Sequence, residues 1–231
     1  MTASVAMWTG CSVAGKHHTD SDDFLPMSVL SDWPTAEPAP PFLLSPVMKG
    51  LPVGQASALA LGPARNANER LFEALPSRPS GTLQVCAALF AVDPFVGLKE
   101  IRRRLEQAGI DTVANWPSVG LFDTPFLKEL AGKGLGFERE VAFVEEVVGA
   151  GFRAVATVFT VGQGLAMHNA GADSLLLHPP LANGRVMPLE AAMTWAEPTI
   201  ADLRAAGARV SLYVEAPSSA ATRPGLTIFS G

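Results

Sequence analysis

Cysteine and tyrosine are scarce in this sequence, with two of the first and one of the second among 231 residues. Two thiols cannot build a disulfide framework, and Cys11 and Cys86 share no zinc-binding spacing with any histidine pair. Their scarcity fits a reducing, cytoplasmic setting. Charge is sparse too, at 17% of residues, with a net charge of −5 and an isoelectric point near 5.4. No basic stripe accompanies it, so no nucleic-acid partner is expected. No uncharged run of about 18 strongly apolar residues escapes glycine or proline, which predicts no membrane span. The opening MTASVAMWTGCSVAGKHH lacks a basic leader ahead of its short apolar run, which argues against a secretory signal.

What is present is apolar material, 48% of the chain, enough for one large core and a single domain over residues 1–231. From Leu83 onward, short apolar runs alternate with helical periodicity, the pattern of βα units around a parallel sheet. Strands are predicted at Leu83 to Phe90, Asp111 to Trp116, Phe152 to Phe159, Asp173 to His178 and Ala208 to Glu215. Their apolar content is continuous rather than alternating, as burial on both faces demands. Helical stripes run through Leu98, Ile101 and Leu105, and through Phe137, Val141, Val144 and Val148. Gly109, Gly151, Gly171 and Gly207 fall where helices should close.

The first 80 residues are broken by Pro34, Pro38, Pro40, Pro41 and Pro46, which predicts a Pro-rich loop near residues 31–50. Ala3 to Trp8 and Phe24 to Leu30 can serve as two early strands, Ala64 to Leu75 as a helix, and Gly225 to Ser230 as a last strand. The count reaches eight, so the fold class is α/β, a (β/α)8 TIM barrel lacking or truncated at its eighth helix. One outer sheet face is then expected to stand bare. A second subunit or the Pro-rich segment would cover it, and a homo-oligomer is the expectation.

Several segments carry more than periodicity. Asn115 to Asp123 reads NWPSVGLFD, and Gly134 to Val141 reads GLGFEREV. Ala91 to Phe95 is AVDPF, Leu51 to Leu59 is LPVGQASAL, and Ala166 to Asp173 is AMHNAGAD. These resemble the phosphoenolpyruvate hydrolase-like family, whose corresponding segments look like NFPTVGLxD, GMGYxxEV, ATDPF, LPYGDANAI and AMAEAGAD. Weaker echoes are TGCS at Thr9 to Ser12 and the final GLTIFSG. The resemblance implies a barrel of the phosphoenolpyruvate/pyruvate superfamily, whose members commonly act on small α-keto acids or enol phosphates with a divalent metal. There are departures. Phe90 stands where the family has a cysteine before its DPF, LHPPLANG replaces AHMGLTTGG at Leu177 to Gly184, and YVEAP replaces a CHGGP-like ending at Tyr213 to Pro217.

By position alone, Asp93, Asn115, Ser118, Asp123, Glu140, His178 and Glu215 fall at or just after predicted strand ends, the face where barrel enzymes carry polar groups. Carboxylates there suit Mg²⁺ or another divalent cation, with Asp93 and Glu215 as candidate ligands. His178 is the candidate acid/base, Glu140 and Asp93 complete the catalytic set, and Asn115, Ser118 and Gly120 are the substrate-binding candidates. Bland readings stand beside these. Asp93 before Pro94 is also a helix-start cap, and Glu140 a solvated or paired helix residue. Asn115 and Ser118 also suit loop backbone, and His178 a satisfied core position.

GCSVAGKH at Gly10 to His17 approaches a phosphate-cradling loop, but His17 replaces the needed hydroxyl. The leading expectation is a metal-assisted lyase or hydrolase acting on a small acidic metabolite, either a keto acid or an enol phosphate. The alternative is a catalytically degenerate barrel serving as a binding or regulatory module.

Overall fold

The computed structural model describes residues 28–35, 41–81, 83–122, 124–216 and 226–229. Eight parallel strands close into one ring: β1 Ser28–Leu30, β2 Phe42–Leu44, β3 Val85–Leu89, β4 Thr112–Asn115, β5 Arg153–Val158, β6 Ser174–Leu177, β7 Val210–Glu215 and β8 Leu226–Phe229. Each strand pairs with its sequence neighbour, and β1 pairs β8 to complete the cylinder. The helices are α1 Ala56–Ala60, α2 Ala67–Ala74, α3 Leu98–Gln107, α4 Thr124–Ala131, α5 Phe137–Gly149, α6 Val161–Asn169 and α7 Leu189–Ala205. None of the described helices is long and apolar enough to cross a membrane.

The (β/α)8 reading holds, while the membership of its first strands changes. Phe42–Leu44, inside the expected Pro-rich loop, is the second strand. Three residues suffice because their ladder is complete. Phe42 N donates to Gln84 O at 3.2 Å and Ser45 N to Leu30 O at 2.7 Å, while Pro41 and Pro46 sit at the margins where a missing N–H does no harm. The Phe24 to Leu30 expectation is met at Ser28–Leu30, which is the first strand; Ala3 to Trp8 lies outside the described residues. The helix expected from Ala64 begins later, because Asn66 adopts a left-handed conformation and accepts from Glu69 N at 3.3 Å. Gly109, Gly151, Gly171 and Gly207 each close a helix with positive φ, as their spacing predicts.

Strand alternation splits the core in two. Outward residues such as Leu44, Leu89, Val113, Ala156, Leu177 and Leu212 pack against the helices. Inward residues, among them Val29, Leu43, Cys86, Ala88, Ala114, Val155, Leu176 and Tyr213, fill the cylinder. Small side chains on β3 and β4 face large ones elsewhere, which is how a narrow barrel is packed solid. Burial pushes the Cys86 thiol well above its ordinary range, so it stays protonated. The outward Leu226 and Ile228 of β8 are 7% and 3% exposed, so the outer face expected to be bare is buried at these positions.

Residues 45–60 cross over the carboxyl ends of the strands. Val47, Met48, Leu51, Ala56 and Ala60 join the same apolar cluster as the barrel interior, and Val186 from the segment after β6 joins them. Val186 N donates to Gly54 O at 2.8 Å, tying the two covering segments together.

Candidate active site at the barrel mouth

The candidate residues divide into separate groups. Ala114 and Trp116 point inward, so by alternation Asn115 points out toward α5. There its Nδ2 donates to Glu140 Oε2 at 2.7 Å, and its Oδ1 accepts from Thr157 N at 2.6 Å. Ser118 Oγ donates to the same Glu140 oxygen at 2.6 Å, and Val119 N to Oε1 at 2.8 Å. Asn115, Ser118 and Glu140 are all buried. Burial pushes the Glu140 carboxyl up to about 7, against the pull of donors from Ser118, Val119 and Asn115. Chemically this group is a clamp, because it fixes the turn that follows β4 against the start of α5.

Gly120 belongs to the same turn. Its N–H donates to Ser118 Oγ at 3.1 Å, and a Cβ placed there would lie 2.5 Å from the Phe159 ring. Any larger residue here would have to displace the Phe159 ring, which leans directly on this backbone. Asp93 sits apart, between α2 and the turn after β3. Its Oδ2 accepts from Asn68 Nδ2 at 3.0 Å and its Oδ1 from Phe95 N at 2.9 Å. It borders a cavity of about 750 Å³ lined also by Phe72, Glu73, Pro94 and Phe95. Asp123 lies outside the described residues.

Glu215 and His178 face the mouth itself. Glu215 Oε2 accepts from Gly54 N at 2.6 Å and Ala56 N at 2.9 Å; Oε1 accepts from Ser57 N at 2.8 Å and the Tyr213 hydroxyl at 3.1 Å. A carboxylate has room for about four donors, and this one has them. It anchors the covering segment through the free N–H groups at the start of α1.

His178 is wholly buried within a ring of aromatics. Tyr213 stacks on it at 4.7 Å, Phe159 lies at 5.4 Å and Trp116 at 5.6 Å between centroids. Its Nδ1 lies 2.6 Å from Pro179 O. A carbonyl oxygen only accepts, so Nδ1 carries the proton and Nε2 keeps its lone pair. Desolvation holds the imidazole neutral, lowering it to about 4 against a smaller upward pull from the Pro179 carbonyl. Both His178 Nε2 and Trp116 Nε1 are buried without a partner.

Trp116, Phe159 and Tyr213 line the site alongside His178, yet in the sequence they read as ordinary strand-end core. Only the register of the inward residues on neighbouring strands places them together. For the expected divalent cation, the described residues offer no gathered ligand set. Among the described residues no three histidine, cysteine, aspartate or glutamate side chains gather where they could hold a metal, and Glu215 is saturated.

A sequence profile described as phosphoenolpyruvate hydrolase-like matches residues 52–211, from the covering segment to β7. The chain belongs to the phosphoenolpyruvate hydrolase-like family. Within relatives of this family-member, the protein y4oT of Sinorhizobium fredii (strain NBRC 101917 / NGR234) is 32% identical over 134 residues, 58% of this chain and 68% of that protein. The tomato (Solanum lycopersicum) ToMV resistance protein Tm-1(GCR237) is 29% identical over 167 residues, covering 71% of this chain and 22% of that protein. The ToMV susceptible protein tm-1(GCR26) is 33% identical over 129 residues, 54% of this chain and 17% of the tomato protein. The chain therefore corresponds to only about a fifth of the tomato proteins' length.

Proposed function

We propose that this phosphoenolpyruvate hydrolase-like barrel is a small-molecule-binding module in which His178 is the titratable side chain at the mouth left with an unpartnered atom. The observation that carries this reading is the occupation of both buried carboxylates. Glu215 holds the covering segment with four donors and Glu140 clamps the turn after β4 with three. Recruiting either to a cation would leave buried N–H groups unpaired, at about 1–3 kcal/mol each. The names of the two tomato relatives, drawn from virus resistance and susceptibility rather than from a reaction, are compatible with binding.

The experiment is calorimetric titration with Mg²⁺ and Mn²⁺, paired with thermal-shift screening against small keto acids, enol phosphates and their neutral analogues. The expected result is no cation binding and a ligand-dependent rise in Tm that His178→Leu abolishes. A ligand at 100 times its Kd stabilises by about 2.7 kcal/mol. Cation binding that Asp93→Ala removes, together with cation-dependent turnover, would overturn the proposal.

A second reading, a lyase or hydrolase acting on a small keto acid or enol phosphate, draws on the unpartnered Nε2 of His178. In that reading the nitrogen takes a proton from the attacking water of an enol phosphate hydrolysis, or from the carbon beside a keto group, and the neutral ring is ready to accept it. Turnover of phosphoenolpyruvate that His178→Gln eliminates would favour it.

A further inference from the structure

Among the buried side-chain atoms without partners, several are serine and threonine hydroxyls, and two are ring nitrogens, Trp116 Nε1 and His178 Nε2. A hydroxyl rotates to find a carbonyl, whereas a ring nitrogen points only where its ring points. These two are of opposite kind. The indole N–H always donates, and the imidazole Nε2, with the proton held on Nδ1 by Pro179 O, can only accept. Their rings lie 5.6 Å apart and tilt by 30°, inside the same aromatic cluster as Tyr213 and Phe159. An unpaired buried polar atom is rare enough in a folded protein to call for an explanation.

Charge narrows what can serve them. Glu140, His178 and Glu215 are the only buried ionisable acid or base side chains of Asp, Glu, His, Lys or Arg type among the described residues, with no lysine or arginine beside them. Desolvation keeps the imidazole neutral, so it offers no positive charge to an anion. Among the described residues a carboxylate or phosphate entering here meets no buried counter-ion, and it would lie near the buried side chain of Glu215, whose partner Tyr213 is stacked on His178. A cation would find Glu215 already saturated.

Resting on the reading of this mouth as a binding site, we infer that its ligand class is an uncharged, flat small molecule presenting an N–H or O–H donor to His178 Nε2 and a carbonyl acceptor to Trp116 Nε1. A carboxamide or a neutral hydroxycarbonyl has this chemistry; the corresponding carboxylate anion, which only accepts, does not. The aromatic rings of Tyr213, Phe159 and Trp116 then select for a planar body.

The test compares pairs of nearly equal shape and different charge: pyruvamide against pyruvate, and lactamide against lactate, titrated into the ¹⁵N-labelled full chain. The Trp116 indole N–H is assigned by Trp116→Phe, and the His178 ring nitrogens by His178→Leu. The expected result is saturable movement of both signals by the amides, with the anions at least ten-fold weaker. Anions that move the same signals as well as the amides do would overturn the neutral class while leaving the binding reading intact. If no compound moves them, water alone serves the two atoms, and both the inference and the binding reading fall. Amide-induced shifts that spare Trp116 and His178 would overturn the site assignment. Trp116→Phe should weaken amide binding at least ten-fold, judged by the His178 ring signals; if that variant does not fold, the comparison in the unmodified chain decides alone.

Discussion

At Gly120 one methyl group is enough to disturb the mouth. Alanine there would press on Phe159 at 2.5 Å, and Phe159 in turn packs on His178. Gly120→Ala is expected to destabilise the fold by about 1–3 kcal/mol through overpacking. Chemical denaturation measures the loss, and a shifted His178 ring signal shows that it travels through Phe159. An unchanged midpoint would mean that the ring has somewhere else to go. At this scale the sequence was only half legible. The motif NWPSVG marks Asn115, Ser118 and Gly120 as special, but residue type says nothing about which side of a strand a side chain leaves. Parity sends Asn115 outward and Trp116 inward, and parity depends on where the strand sits within the ring. Tryptophan, phenylalanine and tyrosine, by contrast, are the common currency of cores, so nothing in their identity singles out the aromatic box.

Among the elements, α1 is the one held most by a single side chain. It has five residues and no N-cap side-chain bond of its own; the carboxylate of Glu215 accepts from its first N–H groups instead. Such a short helix has little stability alone. Glu215→Ala is expected to raise hydrogen exchange at the Gly54, Ala56 and Ser57 amides by at least ten-fold, while the amides of β4 to β6 keep their protection. Uniform loss of protection would show that Glu215 supports the barrel and not the cover. Elements with two-sided burial were readable because their composition is uninterrupted, as in Phe152 to Phe159. The second strand was hidden because three apolar residues between prolines carry no period at all, and only neighbours on both sides make Phe42–Leu44 a strand.

For the whole molecule, two buried groups, His178 and Glu140, pull stability in opposite directions with pH. His178 falls from 6.5 to about 4 on folding, so between these values the unfolded chain holds the extra proton. Its contribution is complete above pH 6.5 and is lost as pH falls toward 4, amounting to about 3 kcal/mol at most. Glu140 rises from 4.5 to about 7, so the folded chain holds the extra proton there. Its contribution is complete below pH 4.5 and is lost as pH rises toward 7. Stability is therefore expected to vary little from pH 4.5 to 6.5 in the unmodified protein. Urea denaturation of His178→Leu should show stability falling as pH rises across that range, and Glu140→Gln should show it rising. Parallel profiles for all three proteins would sink the assignment of these groups.

Among the described residues, β1 and β8 meet through Ser28 with Ile228 and Val29 with Phe229, partners separated by about two hundred positions along the backbone. A cylinder has no edge only while every joint holds. Every other neighbouring pair of strands can meet early, but this one must wait until the rest of the circumference has been laid down. Until then the molecule carries two open sheet margins capable of pairing with another copy, so aggregation during refolding should track the time taken to seal that joint.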